Sequence, residues 1–159
     1  MVSINHCLHK KLFTKKDFSS ELINRKGLKG SVLLRRLLRF TSEKCGSPLE
    51  TIAWCALYDA GFVLPQQQVD IFDKHEFSGC VDMYWEFRNR KIVLELDGKV
   101  KYNVGSDLYA EKRREDHLRK LCYEVYRAGW NDVKNGEFVQ MVRNIGIPTR
   151  RNFVGTLPK

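Results

Sequence analysis

From Ser47 onward the apolar positions fall into distinct periods. Leu49, Ile52, Ala53, Ala56, Leu57 and Ala60 recur at i, i+3, i+4 spacing, which predicts a helix that Gly61 stops. Ser47-Pro48-Leu49-Glu50 opens it as a capping box with proline at the first helical position. After Pro65, residues 67–72 read as a short strand. Residues 79–87 alternate, with Val81, Met83, Trp85 and Phe87 on one face and Asp82, Tyr84 and Glu86 on the other. A tight Arg88-Asn89-Arg90 connection leads to a second alternating strand over 91–97. Ile92, Leu94 and Leu96 share one of its faces, and Val93, Glu95 and Asp97 the other. Residues 107–121 form a highly charged helix, 123–127 a further strand, and 132–143 a last helix. The order helix, three-stranded meander, helix, strand, helix predicts an α/β domain, with a mixed sheet flanked by helices.

The first third of the chain has a different character. Residues 1–29 lack sustained periodicity and read as a loosely ordered basic arm with a short helix near 16–24. Residues 30–46 hold a basic amphipathic helix over 31–40, with Val32, Leu33 and Leu37 opposite Arg35, Arg36 and Arg39. The domain-sized block that follows spans 47–145, and 146–159 reads as a basic tail. Of a net charge of +9, +8 falls in residues 1–46, where eleven lysines and arginines face Asp17, Glu21 and Glu43. A basic region of this kind suits a polyanion, because each phosphate it neutralises releases counterions. Basicity alone does not separate nucleic acid from an anionic membrane surface or from a solubilising tail.

Composition narrows the classes. A chain of 159 residues that is 43% hydrophobic can bury an ordinary core. It has no apolar run near the ~18 residues needed to cross a bilayer, and no secretory pattern at its start. Five widely spaced cysteines without a Cys-x-x-Cys pair argue for a reducing compartment. The expectation is a cytoplasmic protein with no membrane association. His6-Cys7-Leu8-His9 has metal-ligating residue types, but no further ligands follow nearby, so a polar N-terminus is the better reading.

Candidate chemistry centres on Asp82 and Glu95. Each lies on a strand face opposite the most apolar stripe, and a hairpin joins the two strands. Cross-strand neighbours sit ~5 Å apart, so the carboxylates can face one another. Asp97 points the same way as Glu95, and Glu50 could project from its helix toward that face. Converging carboxylates repel unless a cation intervenes, and a hard ion such as Mg²⁺ or Mn²⁺ suits oxygen donors. The plainer alternative is a half-exposed sheet with Glu50 merely completing its cap. Spacing alone leaves both open.

The residues Val81-Asp82-Met83, Val93-Leu94-Glu95-Leu96-Asp97-Gly98-Lys99-Val100-Lys101-Tyr102, Glu111 to Leu118, Tyr123 to Arg127 and Trp130 to Val133 go further. With Ser47-Pro48-Leu49-Glu50 and Gln68-Val69 upstream, this run resembles the Vsr-like (very-short-patch-repair-like) branch of the PD-(D/E)XK endonuclease superfamily. Within that branch it is similar to small bacterial proteins related to type IV antitoxins. The resemblance implies a restriction-endonuclease-like core and Mg²⁺- or Mn²⁺-dependent hydrolysis of phosphodiesters, in DNA before RNA. It implies Asp82, Glu95 and Glu50 as metal ligands and Gln68 as the polar residue of the first strand. Asp97 stands where the superfamily has a lysine, so the cation must come from Lys99, Lys101 or Arg114. Arg114 shares an inward helical stripe with Glu111, Leu118 and Leu121. Tyr102 at the rim, with Arg35, Arg36 and Arg39, would contact nucleic acid. The replaced lysine also supports another reading, a non-catalytic nucleic-acid-binding or antitoxin-like regulatory module, as a homodimer or with a protein partner.

Overall fold

The computed structural model describes residues 1–24, 29–38, 41–87, 89–98 and 105–152, with the backbone alone at 33, 35–37, 105–108 and 110. The chain divides into two compact units, Met1–Cys55 and Ala56–Lys159, and the division falls inside a helix.

The first unit holds α1 (Val2–His9), α2 (Lys15–Asn24), α3 (Ser31–Leu38) and the first turns of α4 (Pro48–Asp59). α2 is the short helix expected near 16–24, and α1 is helical where only a loose arm was expected. Asn5 is the reason on α1. Its side chain is fully buried, yet its amide donates to Thr51 Oγ1 at 3.0 Å and accepts from the Ser42 N–H at 3.0 Å. A buried amide satisfied at both ends costs little and fixes the helix in place. α2 starts on a reciprocal cap, in which Thr14 Oγ1 accepts from the Asp17 N–H and Asp17 Oδ2 accepts from the Thr14 N–H. Lys15 Nζ donates to the Thr41 carbonyl. On α3, Leu38 is buried while Val32 is 69% exposed, so Val32 is not part of a buried face as its spacing predicted.

The second unit is built on a four-stranded mixed sheet in the order β1-β2-β3-β4. β1 (Gln66–Asp73), β2 (Glu76–Phe87) and β3 (Arg90–Asp97) form an antiparallel meander. The β1–β2 turn is made by Lys74 and His75, both at positive φ, in the manner of a two-residue hairpin loop. α5 (Gly105–Lys120) then crosses over to β4 (Tyr123–Gly129), which runs parallel to β3 with Glu95 beside Arg127 and Asp97 beside Gly129. Among the described residues, no helix is long and apolar enough to cross a membrane.

Both faces of the sheet are covered, which the alternation did not predict. Met83, Trp85, Ile92 and Leu94 are buried, and Trp85 Nε1 donates to the Val63 carbonyl. Tyr84, assigned to the polar side, is buried too. It packs with Ile71, Val81, Val93 and Val125 against Leu118 of α5. Val81 shares this cluster with Tyr84, so strict alternation breaks between them, at Asp82. The last helix is also broken. α6 (Trp130–Asn135) and α7 (Glu137–Ile145) meet at Gly136, whose φ of 82° is left-handed. Replacing Gly136 by Ala should cost about 1 kcal/mol in urea unfolding, because a Cβ is disfavoured at that φ. The start of the supposed tail is docked rather than free. Ile147 is buried, the Pro148 carbonyl accepts from Val63, and the Arg150 guanidinium lies 4.1 Å from the Tyr58 ring centroid.

Candidate active site

The β2–β3 ladder pairs residues down to Met83 and Leu94. One step beyond, Asp82 and Glu95 come opposite each other and backbone pairing gives way to side chains. Asp82 Oδ2 accepts from the Leu96 N–H at 2.8 Å. Its Oδ1 accepts from Gln68 Nε2 at 2.9 Å. Gln68 lies across from Asp82 on β1, between the pairs Gln67–Met83 and Val69–Val81, and its φ is 47°. A left-handed non-glycine residue within a strand is strained, and such strain concentrates at functional sites. The Gln68 amide oxygen accepts in turn from the Cys80 thiol at 3.4 Å.

Glu95 is buried, with its side chain 8% exposed. Arg114 reaches it from α5, donating to Oε1 at 2.6 Å and to the Cys80 carbonyl at 3.1 Å. Gly79 makes this passage possible. A Cβ there would stand 3.3 Å from Arg114 Cδ, and the φ of 144° also disfavours any side chain. Arg114 thus lies on the inward side of its helix, and its partner is Glu95, not Glu111. Glu111 pairs instead with Arg127 at 3.2 Å. Arg127 also donates to Glu115 Oε2 at 3.0 Å and lies 3.4 Å from both oxygens of Asp97.

The charges set the protonation states. Glu95 is pushed up to about 7, first by burial, against the pull of Arg114, and further by the charge of Asp82. A backbone hydrogen bond from Asp82 and the more distant Arg127 offset part of this rise. Burial, then a hydrogen bond to Asp70 and the charges of Asp70, Asp82 and Glu95, push the Cys80 thiol up to about 11. It therefore stays protonated as the donor to Gln68. Glu115 is held below its ordinary range, first by its hydrogen bond with Arg119, with Arg127 adding to the effect.

Among the described residues, no group of three or more His, Cys, Asp or Glu side chains is arranged as a metal site. Asp82 and Glu95, carboxylates from adjoining strands, are of the donor type that a hard divalent ion takes. Each carboxylate oxygen can accept twice, Mg²⁺ keeps several waters, and a cation would offset the burial, and the lesser repulsion from Asp82, that raise Glu95. Glu50 belongs to the first unit. It is buried, its N–H donates to Ser47 Oγ at 3.2 Å, and its Oε2 accepts from the Gly46 N–H at 3.0 Å. Its capping role is therefore formed. Lys99, Lys101, Tyr102 and Arg39 lie outside the described residues, as do the side chains of Arg35 and Arg36.

Three participants have no clear signal in the sequence. Arg127 joins the site only through the parallel register of β4 on β3. Cys80 and Gly79 matter through what they touch, the Gln68 amide and the Arg114 stem. No known protein family matches the chain, and neither a curated protein nor a solved structure matches it.

Proposed function

We propose that the chain is a divalent-metal-dependent endonuclease of the PD-(D/E)XK type, akin to the Vsr-like branch, hydrolysing phosphodiester bonds in DNA rather than RNA. The observation that carries this reading is the Asp82–Glu95 pair, set side by side where the β2–β3 ladder opens, with Glu95 buried and its proton held near neutral pH. The order of α4, the β1–β3 meander, α5 and a parallel β4 supports the restriction-endonuclease-like core that the resemblance implies. Asp82 and Glu95 would hold Mg²⁺ or Mn²⁺. The bound ion supplies Lewis acidity toward the phosphate and lowers the pKa of a bound water. Gln68 and the Leu96 N–H fix the Asp82 carboxylate, so its orientation needs no rearrangement. Arg114, Lys99 or Lys101 would supply positive charge in place of the missing lysine at Asp97. The lysines and arginines of residues 1–46, Arg35, Arg36 and Arg39 among them, draw in the DNA backbone, and Tyr102 would stack at the rim. Five free cysteines suit action in the cytoplasm.

The test is cleavage of single- and double-stranded DNA and of RNA with Mg²⁺, Mn²⁺ or EDTA, with Asp82→Ala beside wild type. Loss of several kcal/mol of charge stabilisation should lower the metal-dependent rate about a hundredfold or more. Undiminished cutting by Asp82→Ala would reject the assignment.

One observation favours a second reading. Arg114 on Glu95 and Arg127 on Asp97 already neutralise the acids from within. A non-catalytic nucleic-acid-binding or antitoxin-like regulator, as a homodimer or with a protein partner, would use them so. It would bind nucleic acid in a salt-sensitive manner indifferent to Mg²⁺, and cut nothing.

A further inference from the structure

β2 is longer than its ladder with β3. Met83 to Phe87 pair with β3, whereas the stretch 76–81 is bonded to β1 alone. The far end of the β1–β2 hairpin is therefore a two-stranded ribbon that extends past that ladder, closed by the Lys74-His75 turn. Such a ribbon is marginal by itself, and α5 steadies this one. His117 Nε2 lies 3.3 Å from Ser78 Oγ and 3.6 Å from Asp73 Oδ2, and Arg114 donates to the Cys80 carbonyl. On the ribbon stand Phe72 and Phe77, cross-strand partners whose ring centroids are 5.8 Å apart at an interplanar angle of 67°. They are 57% and 62% exposed. Folding leaves this aromatic pair in water at the edge of the sheet, where apolar surface invites association. A backbone held in advance lowers the cost of ordering on contact, and the rings supply area to bury.

Charge selects the partner. Asp70 and Glu76 are exposed, Asp73 is half-buried, and Lys74 is the one lysine or arginine in residues 66–81. These acids set the ribbon against a phosphate backbone and toward a cationic surface. Residues 1–46, with a net charge of +8, provide one. There Ile23, next to the end of α2, and Val32, second in α3, are both exposed, as is Lys29 between them in sequence. α2 and α3 pack on one another. We infer that the Phe72–Phe77 ribbon docks on the α2–α3 region of a second copy of this chain. The rings meet Ile23 and Val32, and Asp70 and Glu76 face the lysines and arginines around them. In a two-fold pair each copy gives one ribbon and one receiving surface, so the contact is made twice. The pairing requires neither a metal nor the Asp82–Glu95 pair.

The experiment is sedimentation velocity on the full chain without nucleic acid, over a range of concentrations, in about 0.05 M and about 0.5 M salt. Wild type should show a monomer–dimer equilibrium that weakens in high salt. Phe72→Ser with Phe77→Ser should raise the dissociation constant about tenfold or more. Glu76→Lys on the ribbon and Val32→Ser on the receiving helix should each raise it as well. All of these side chains are exposed, and matching circular dichroism spectra check that the variants fold. Glu76→Lys and Val32→Ser keep the test decisive should the double variant fold poorly. A wild type that stays monomeric at every concentration would overturn the inference. A dimer unmoved by the ribbon substitutions, or by Val32→Ser, would overturn it too.

Discussion

Glu95→Gln should leave the protein more stable at pH 8, by about 2–3 kcal/mol, while abolishing metal-dependent cleavage. The folded state raises the Glu95 carboxyl from 4.5 to about 7, and a rise of that size corresponds to roughly 3 kcal/mol in favour of the protonated form. Between pH 4.5 and 7 the folded chain holds a proton that the unfolded chain has lost. Stability therefore falls as pH rises through this window. Below it the acid is neutral in both states and imposes nothing, and above it the full burial penalty is present. Gln has the shape of the neutral acid and no proton to lose, so its advantage should be absent at pH 4 and complete by pH 8. Urea unfolding at the two pH values measures it directly. The pull of Arg114 already works against the rise in Glu95. A Gln variant less stable than wild type at pH 8 would mean that the ion pair outweighs burial. Stability gained by removing a site residue is the usual sign of an acid retained for function.

Arg127→Met is expected to act in the opposite direction, costing about 2–3 kcal/mol at pH 7. Removing one member of a buried ion pair costs roughly 3–5 kcal/mol, because a charge is left behind. Here Arg127 is 26% exposed, and solvent screening lowers the figure. Three carboxylates, Asp97, Glu111 and Glu115, lose their shared cation and repel one another. Glu115 is held below its ordinary range in the native protein, first by Arg119 and then in part by Arg127. Its contribution is therefore present above pH 4.5 and lost as pH falls further. The gap between wild type and Arg127→Met should accordingly narrow toward pH 4. Arg127→Lys should recover only part of the loss, since one ammonium cannot reproduce the fork that reaches three partners. A pH-independent deficit would show that packing, not charge, is what Arg127 supplies.

Local pattern carried the sheet. The alternation of Met83, Trp85 and Phe87 and of Ile92, Leu94 and Leu96 marks β2 and β3, and the short connection between them makes the hairpin. The hairpin brings Asp82 and Glu95 near one another at the end of the β2–β3 ladder, although alternation itself breaks at Asp82. What was not legible depends on distant partners. Asn5 orders α1 through Thr51 and Ser42, more than thirty residues away. Tyr84 is buried because Leu118 of α5 covers it, and nothing on β2 announces that cover. Arg127 meets Asp97 only once β4 lies parallel to β3, and Glu111 pairs with it rather than with its helical neighbour Arg114. The left-handed backbone of Gln68 has no glycine to signal it. Gly136 was a visible signal that went unused, and α6 and α7 divide at it.

The position of β3 has a consequence for how the protein loses its site. Residues 92–96 are buried without interruption; β4 pairs β3 from Lys91 to Asp97, and β2 pairs it from Arg90 to Leu94. Amide protons of such a strand exchange with solvent only when the whole unit opens. Glu95 rides on this strand, so its backbone shares that protection, whereas Asp82 is secured by side-chain bonds at the end of the ladder. On warming, the anchor of the acid pair should persist until cooperative unfolding, and inactivation should coincide with the main transition rather than precede it.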